Sequence, residues 1–406
     1  MTGLASGGEG VGRLADGRVV FVEGGVPGDR VTLRDFTARK KLIRARVGRL
    51  IEPSSDRVEP RCAHFGSCGG CRWQHMRYEA QLEAKRRIVR DALERIGGLV
   101  FEQDIEILPS PDPYGYRARA RLVESQGIVG YRIRGSHAIE GIDECPILVP
   151  AAQQALTKLR RSVGEAIRHP TADEPRTSAR DRRAIPTWII SAGSSGPAKL
   201  HRLSGKRERG VARQSVTLEV LGERLRAGPE SFIQANALLW DALAEEVRDQ
   251  CTLSSGASSP EHFVEFHAGI GFFTLPLARR GLSGVAIESD RSALADLGAN
   301  LASSGLAEQV EVLRGRVEAR GDLARRFAAA DLLLMDPPRV GIEAKVREAI
   351  ASDGPTRLVY VSCDPATLAR DLRVFSKAGY SLESVRALDL FPQTPHVEVV
   401  ARLERA

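Results

Sequence analysis

The C-terminal part of this 406-residue chain alternates short apolar runs with helical patterns, and that alternation restricts the possible folds more than any other sequence feature. The apolar runs after about Ala235 are Phe263 to His267, Gly284 to Glu288, Val310 to Leu313, Asp331 to Met335 and Leu358 to Val361. Strands that alternate with helices usually build a parallel sheet with helices on both faces. We therefore predict an α/β domain over residues 231–406.

The first 55 residues show a β pattern instead. Val19 to Val22 is typical of a strand, Pro27-Gly28-Asp29 is typical of a turn, and from Ile43 to Gly48 apolar residues alternate mainly with arginines. The net charge is +7, and residues 1–100 carry all of that excess. We predict a small basic β-barrel over residues 1–55. Positive charge confined to one module suits a nucleic-acid partner, although a solvated basic surface has the same composition.

Residues 56–230 mix helical and strand patterns and are predicted to form a central domain. Leu82, Val89, Leu93 and Ile96 recur at helical spacing with basic residues between them, and Gly97-Gly98 ends the pattern. The three arginines of the segment 117–122 would share one face of a strand, which is either solvated or, as we favour, RNA-facing. Residues 168–186 lack periodicity and are predicted to be a loop.

No apolar segment of the chain is long enough to span a membrane, and residues 1–10 hold no apolar export signal. The sequence therefore predicts a cytoplasmic protein without a membrane partner, and it indicates no protein partner. Six cysteines in such a compartment are better explained by metal binding or catalysis than by disulfides.

A glycine-containing loop follows the first strand of the predicted α/β domain. Gly269 and Gly271 would let a ligand approach the backbone, and Glu288, at the end of the next strand, could accept both hydroxyls of a ribose. Thr274 stands where a dinucleotide-binding loop has its third glycine, which argues against NAD and for a nucleoside cofactor such as S-adenosylmethionine. The alternative is a tight strand-to-helix turn without a ligand.

A cysteine and a carboxylate follow two later strands. Cys363 would lie at a strand end and before a helix, where the helix dipole lowers a thiol pKa, although many such cysteines are plain core residues. Asp336 is followed by two prolines that hold it at a fixed angle, and an Asp that caps the next helix is the alternative. Glu398 could simply face solvent from a late strand, and only as a partner of Cys363 would it have a chemical role. We assign no chemical role to Cys251.

Three cysteines crowd a Gly-rich loop, as Cys62-x5-Cys68-Gly-Gly-Cys71, and Cys145 is the only other cysteine in this half of the chain. Four thiolates suit either a zinc ion or an iron–sulfur cluster. We favour iron–sulfur because zinc ribbons normally pair two Cys-x2-Cys units and this chain has one. A redox pair at Cys68 and Cys71 would lack the usual βαβ surroundings.

Together these motifs resemble the RNA uracil-5-methyltransferase family, most closely its iron–sulfur members that methylate 23S ribosomal RNA. The segments that carry the resemblance are Gly8-Glu9-Gly10-Val11-Gly12, the Cys-Gly-Gly-Cys loop with Gln74-His75, Phe232-Ile233-Gln234-Ala235-Asn236, Asp336-Pro337-Pro338-Arg339, the Ser362-Cys363-Asp364-Pro365 segment and His396-Val397-Glu398. The resemblance implies three parts: a TRAM/OB-like barrel, a mixed α+β central domain with an RNA-facing sheet, and a Rossmann-like methyltransferase domain that binds S-adenosylmethionine.

The resemblance also implies a mechanism and a set of site residues. Cys363 would add to C6 of a flipped-out uracil, C5 would take the methyl group, and Glu398 would remove the C5 proton. The implied contacts are Gln234, His267, Gly269, Gly271, Glu288 and Asp336 for the cofactor, Asp336 and Phe232 for the uracil or a neighbouring base, and Cys62, Cys68, Cys71 and Cys145 for a [4Fe-4S] cluster.

The chain departs from the usual family pattern at several of these positions. His267 stands where an aromatic residue is usual, Phe272 where Asn is usual and Glu265 where Asp is usual, while Asp364 replaces Asn and Pro395 replaces a frequent His. The favoured partner is ribosomal RNA. The alternatives are a transfer RNA uracil-5-methyltransferase, an amino-group methyltransferase that needs no thiol, and a non-catalytic RNA-binding factor with the same fold.

Overall fold

A computed structural model describes residues 1–39, 42–168, 186–203, 214–252 and 261–405 of the chain. The loop predicted over residues 168–186 lies outside this part, apart from its first and last residues. The description below concerns the described residues alone.

The N-terminal region is a five-stranded sheet. Its strands are β1 (Gly3–Leu4), β2 (Gly10–Arg13), β3 (Val19–Glu23), β4 (Arg30–Arg39) and β5 (Leu42–Glu52), in the spatial order β1-β2-β3-β5-β4. Val20 and Val22 pack with Ile43 and Ala45 in a small core, while Arg44 is exposed. The predicted alternation along β5 is therefore confirmed.

The predicted turn at Pro27-Gly28-Asp29 is held by the Asp29 carboxylate, which is buried. Its two oxygens accept backbone N–H groups of Val26 at 2.7 Å and Ser54 at 2.9 Å, and both accept the Arg57 guanidinium. Burial opposes ionisation, but the bonds to Arg57 and the two N–H groups outweigh it, so the pKa of Asp29 is lowered. This pair attaches the N-terminal sheet to the segment that precedes the cysteine loop.

The predicted basic helix is present as α1 (Tyr78–Ala92) and continues as a π-helical turn over Leu93–Gly97. Gly98 ends it at φ 65°, in the left-handed conformation that glycine tolerates best. Lys85, one of the basic residues between the apolar positions of this helix, is fully buried. It pairs there with Asp389 from the far end of the chain.

The central region holds a five-stranded antiparallel sheet and one helix. Its elements are β7 (Arg119–Ser125), β8 (Ile128–Arg132), β9 (Ile139–Gly141), α2 (Pro150–Arg168), β10 (Thr187–Ser191) and β11 (Lys199–Arg202), after the short strand β6 (Glu106–Leu108). The sheet order is β11-β10-β7-β8-β9, and α2 packs against β8, β10 and β11. A two-stranded hairpin follows, formed by β12 (Val216–Val220) and β13 (Glu223–Ala227).

The C-terminal region is a sheet of eight strands with helices on both faces. Seven of its strands are β14 (His262–Phe266), β15 (Ser283–Glu288), β16 (Val310–Arg314), β17 (Leu332–Met335), β18 (Arg357–Ser362), β19 (Ser381–Leu388) and β20 (Glu398–Glu404), and the eighth is β6. Its helices are α3 (Trp240–Thr252), α4 (Thr274–Arg279), α5 (Arg291–Ser303), α6 (Leu323–Ala328), α7 (Ala344–Asp353) and α8 (Pro365–Lys377), with 3-10 turns at Ala237–Leu239 and Val317–Ala319. All five predicted strands are confirmed.

The strand order of this sheet is β16-β15-β14-β17-β18-β20-β19-β6. Strands β14 to β18 are parallel to one another, whereas β20 inserts antiparallel between β18 and β19. This order reverses direction between β14 and β17, and such a switch point is where open α/β sheets bind ligands, at the carboxyl ends of the strands.

Parts of the segment predicted as a central domain pack on the C-terminal sheet. Strand β6 pairs in parallel with β19, residues of α1 share a core with β18 and α8, and the β12–β13 hairpin shares a core with α3. The domain bounds 1–55, 56–230 and 231–406 therefore stay a prediction. Residues 78–108 lie within the second predicted domain, but they pack against the third.

Among the helices of the described residues, none combines the length and apolar character that a membrane crossing requires.

Candidate active site

Cys363, Asp336 and Glu398 meet at one edge of the C-terminal sheet. Asp336 follows β17 and Cys363 follows β18, and these two strands are parallel neighbours. Glu398 begins β20, which pairs antiparallel with β18 so that Val399 lies opposite Ser362. The strand order therefore brings a thiol and two carboxyls from three separate segments to one place, as the sequence predicts.

The charges around Cys363 define the chemistry of the site. Burial raises the pKa of the Cys363 thiol to about 11, the Glu398 and Asp336 carboxylates act in the same direction, and Arg339 opposes them. Arg339 does so through its positive charge and through a hydrogen bond with the thiol. Arg339 is therefore the group that chiefly favours the thiolate, which is the nucleophilic form of a cysteine.

The two carboxyls influence each other. Glu398 is only 3% exposed, and burial raises its pKa well above the ordinary value, with Asp336 adding to the rise and Arg339 opposing it. Burial also raises the pKa of Asp336 to about 7. A buried carboxylate with a raised pKa is a strong proton acceptor once it is ionised, which suits a general base.

Asp364, one of the departures from the family pattern, caps helix α8. Its side chain accepts the backbone N–H groups of Ala366 at 3.1 Å and Thr367 at 2.9 Å. The carboxylate thus stabilises the N-terminus of the helix that follows Cys363. The pKa of the Cys363 thiol is raised mainly by burial, then by Glu398 and then by Asp336, so Asp364 is not one of its main causes.

The predicted cofactor loop lies between β14 and α4 and contains three left-handed residues: His267 at φ 61°, Gly269 at φ 59° and Gly271 at φ 91°. At φ 91° a side chain on Gly271 would be strained, and its Cβ would lie 2.5 Å from Leu275 Cδ1, so the position favours glycine. A Cβ on Gly269 would have no neighbour closer than the His267 carbonyl oxygen at 4.0 Å. Open space above Gly269 is what a ligand that lies on the backbone needs.

Glu288 closes this loop from the tip of β15. Its Oε2 accepts the Gly269 N–H at 2.9 Å, and its Oε1 accepts the N–H groups of Ser289 at 2.6 Å and Asp290 at 2.7 Å. These bonds fix the carboxylate at the strand end, where the sequence predicts a ribose contact.

Further polar groups surround the same cleft. Gln234 donates from Nε2 to Asp336 Oδ2 at 3.4 Å, and the backbone carbonyl oxygen of Gln234 accepts the indole N–H of Trp240. Burial raises the pKa of Glu265 to about 8, with Asp336 and Glu288 adding to the rise. Glu265 is buried and accepts the Thr274 hydroxyl at 2.6 Å, so Asp336 and Glu288 are the carboxyls that could attract a cationic ligand such as a sulfonium.

Two phenylalanines near the site have different surroundings. Phe272 is buried in the core and packs edge-on against Phe273, with ring centroids 5.1 Å apart. Phe232 is 66% exposed, which leaves its ring available to stack on a base.

The four cysteines of the predicted metal site line one cavity of about 1000 Å³. Burial raises the pKa of Cys71 to about 12 and of Cys145 to about 11, and it raises that of Cys68, with charge on neighbouring cysteines adding to each rise. The sulfurs are therefore close enough to interact. The same cavity is lined by Arg72, Arg117, Arg121, Arg132, Arg134 and Arg339.

The donor set around these sulfurs suits a group that needs soft ligands. The buried side chains of Gln74 and Tyr131 line the cavity with the cysteines, where Gln74 interacts with the Cys71 thiol and Tyr131 with the Cys145 thiol. Donors of this kind can serve thiolate sulfurs. Within the described ranges, however, no group of three or more His, Cys, Asp or Glu side chains is arranged to hold a metal ion. The cluster stays a prediction.

The arginines predicted to share a strand face divide into two kinds. Arg117 and Arg121 line the cavity. Arg119 donates instead to Ser191 Oγ at 3.2 Å and to the Pro229 carbonyl at 2.7 Å, and burial lowers its pKa to about 10. Two of the three arginines are therefore placed to meet a polyanion.

Sequence reasoning gave no role to two residues that the site contains. Arg339 is the last residue of the Asp-Pro-Pro-Arg motif, and a cation directly after that motif was the available signal. Glu265 was noted only as a departure from the family pattern. Its position in the β14 sequence does not reveal that it is buried near the Asp336 and Glu288 carboxyls.

Comparison with known protein families gives matches over the two ends of the chain. The family described as tRNA (Uracil-5-)-methyltransferase matches residues 213–406, and the TRAM domain matches residues 1–47. The second match confirms the predicted TRAM-like module.

Relatives and a solved structure match nearly the whole chain. A 23S rRNA (uracil(1939)-C(5))-methyltransferase of Halomonas elongata is 34% identical over 99% of this chain and 88% of its own, and one of Dechloromonas aromatica is 34% identical over 96% and 95%. The crystal structure of Pyrococcus abyssi tRNA (uracil-54, C5)-methyltransferase covers 99% of both chains with a TM-score of 0.74 at 23% identity, which shows a shared fold. These matches confirm the predicted fold and enzyme class, and the chain belongs to the RNA uracil-5-methyltransferase family.

Proposed function

We propose that the protein methylates C5 of a uracil in RNA through a covalent bond between the Cys363 sulfur and C6 of the base. The observation that supports this most strongly is the convergence of Cys363, Glu398 and Asp336, with Arg339 beside them, at the carboxyl edge of the sheet. Uracil C5 is a weak nucleophile by itself, and a thiol beside a buried base is the arrangement that activates it.

The steps follow from these side chains. The Cys363 thiolate forms a bond to C6, and the electron pair of the C5–C6 double bond moves toward C5 and the O4 oxygen, which makes C5 nucleophilic. After C5 is methylated, Glu398 accepts the C5 proton. The electron pair of the broken C–H bond restores the C5–C6 double bond and expels the sulfur as thiolate.

The methyl donor would be S-adenosylmethionine, which supplies an electrophilic methyl group when bound. Its binding is supported by the open space above Gly269, by the fixed carboxylate of Glu288 and by the Asp336 carboxyl beside Gln234. The residues that would hold it are Gln234, His267, Gly269, Gly271, Glu288 and Asp336.

The RNA would lie along the arginine-lined cavity, with Phe232 available to stack on a base. We propose 23S ribosomal RNA as the substrate, because relatives that carry this name are matched over nearly their whole length. Cys62, Cys68, Cys71 and Cys145 would hold a [4Fe-4S] cluster that stabilises the loop beside this cavity.

The function is tested with RNA that carries tritium at uridine C5 and with RNA that contains 5-fluorouridine. The wild type should release tritium and should become covalently trapped on the fluorinated RNA, since fluorine cannot leave as a proton does. Cys363→Ala should do neither, whereas Cys251→Ala, at a fully buried cysteine outside the site, should do both.

Other outcomes separate the alternatives. Methyl transfer by Cys363→Ala would favour an amino-group methyltransferase, and tight RNA binding without S-adenosylmethionine binding would favour a non-catalytic factor. Faster tritium release from transfer RNA than from a 23S ribosomal RNA fragment would favour the transfer RNA assignment. Protein purified without oxygen should be brown and contain iron, and zinc in a colourless protein would contradict the cluster.

A further inference from the structure

The loop between β19 and β20, residues 389–397, leads directly to Glu398 and is attached to the N-terminal half of the chain through three consecutive carbonyl oxygens. The bonds run from Lys85 Nζ to Phe391 O at 3.0 Å, from Tyr116 Oη to Pro392 O at 2.9 Å, and from the backbone N–H groups of Arg72 and Trp73 to Gln393 O at 2.9 and 3.0 Å. This loop is therefore held from outside its own sheet.

Gln393 is the most constrained residue of the loop. It is 3% exposed and adopts φ 68°, a left-handed conformation that is unfavourable for residues other than glycine. Its backbone N–H donates to Gln81 Oε1 at 2.9 Å, and its side-chain Oε1 accepts from Gln81 Nε2 at 3.0 Å. The reciprocal bonds offset the cost of that conformation.

Gln81 joins this loop to the cysteine segment. Its side chain is fully buried on α1, and its Nε2 also donates to the carbonyl oxygens of Trp73 at 3.1 Å and Met76 at 2.9 Å. Arg72, whose N–H binds Gln393 O, directly follows Cys71. One short path of hydrogen bonds thus leads from the cysteine loop through Gln81 and Gln393 to the strand that begins with Glu398.

The opposite side of the loop faces the cavity. Phe391, Thr394 and His396 line it together with the four cysteines and Arg339. A shift of Gln393 would therefore move the wall of the cavity and the entrance of β20 at once, while Cys363 sits on the separate β18–α8 connection. The bonds to the loop therefore act on Glu398 more directly than on Cys363, although β18 and β20 are paired strands.

We propose that Gln81 and Gln393 are positioning residues that place Glu398 for proton removal and make that placement depend on an ordered cysteine loop. The proposal rests on the proposed function, since it assigns Glu398 to the step after methyl transfer. Loss of the pair should slow removal of the C5 proton and leave formation of the Cys363–C6 bond and methyl transfer comparatively unaffected.

The test compares methyl incorporation with tritium release in a single turnover on uridine RNA. In the wild type the two should proceed together. In Gln81→Leu, tritium release should lag methyl incorporation at least tenfold, and a denaturant-stable complex of protein with methylated RNA should accumulate. Gln250→Leu makes the same change at another buried glutamine, on α3, and should behave as the wild type.

A second variant covers the case in which Gln81→Leu does not fold. Gln393→Gly can keep the backbone bonds and the left-handed conformation, loses the side chain with the oxygen that Gln81 binds, and should show the same lag. Equal rates of methyl incorporation and tritium release in the folded Gln81 or Gln393 variant would overturn the proposal. Failure of the wild type to form any covalent complex would instead refute the proposed function.

Discussion

Lys85 and Asp389 form an ion pair in which neither side chain is exposed to solvent. Burial lowers the pKa of Lys85, and the Asp389 carboxylate opposes that shift. Lys85 also donates to the Phe391 carbonyl. The pair thus joins α1 to the loop that precedes Glu398, although 304 residues separate its members in sequence.

Lys85→Met should destabilise the protein strongly, because it leaves a buried carboxylate without its partner. Loss of one member of a buried pair typically costs about 3–5 kcal/mol, whereas replacement of both members costs less. Urea denaturation should therefore show a large loss for Lys85→Met and a substantial recovery in Lys85→Met/Asp389→Leu. A single variant as stable as the wild type would contradict this role.

Arg339→Gln should shift the reaction to higher pH, because Arg339 lowers the pKa values of both Cys363 and Glu398. Below the raised thiol pKa of about 11, the thiolate fraction grows tenfold for each pH unit, so a rise of one pKa unit would slow adduct formation about tenfold. Trapping on 5-fluorouridine RNA across pH measures this. Arg339→Lys, which keeps the charge, should shift the profile less. A loss of trapping that is fully accounted for by weaker RNA binding, measured under the same conditions, would indicate an RNA contact instead.

Glu265→Gln should change how stability depends on pH. Burial raises the pKa of Glu265 from 4.5 to about 8, so the folded state holds a proton that the unfolded chain has released. That contribution to the free energy of unfolding is complete below pH 4.5 and is lost as pH rises through about 8. The variant should gain stability relative to the wild type as pH increases. Urea midpoints at pH 5 and pH 8.5 provide the measurement, and a constant difference would refute the assignment.

Glu398→Gln should block the reaction after methyl transfer. Without a proton acceptor the methylated adduct cannot eliminate Cys363, so a covalent complex should accumulate on ordinary uridine RNA, and tritium release should fall about 10²–10⁴-fold. Gel electrophoresis under denaturing conditions reveals the complex. Normal turnover in this variant would remove Glu398 from the mechanism.

Arg121→Ala should weaken RNA binding in a salt-dependent way, because Arg121 is exposed and lines the cavity. Loss of one phosphate contact should reduce the slope of log affinity against log salt by about 0.7 for single-stranded RNA. Arg224→Ala, at an exposed arginine on the β12–β13 hairpin, is the matched control. Equal slopes for the two variants would place the RNA elsewhere.

The local elements of the C-terminal domain were predictable from residues near one another in sequence. Each apolar run that forms one of the strands β14 to β18 predicts a buried strand from its own residues. Gly97-Gly98 likewise predicts the end of the helical segment that begins with α1, without reference to any tertiary contact. For the same reason, Cys363 and Asp336 could be placed at strand ends, since parallel neighbours expose their carboxyl ends along one edge.

The remote contacts of the site were not predictable in this way. Lys85 and Gln81 are residue types that usually lie on the solvated face of a helix. They are buried here because Asp389 and Gln393, from the other end of the chain, pack against them. Strand β6 is three residues long and gains its place by pairing with β19, far along the chain.

Propensity, periodicity and motifs are read over a few neighbouring residues, and they were sufficient to predict the kinds of elements, the family and the residues that could carry chemistry. The three-dimensional arrangement was needed to show that Glu398 lies near Cys363, that Arg339 lowers the pKa values of both, and that the loop before Glu398 is held by the segment after Cys71. Those relationships depend on the strand order and on hydrogen bonds between residues hundreds of positions apart, and the free energy of such contacts is not encoded in any local pattern.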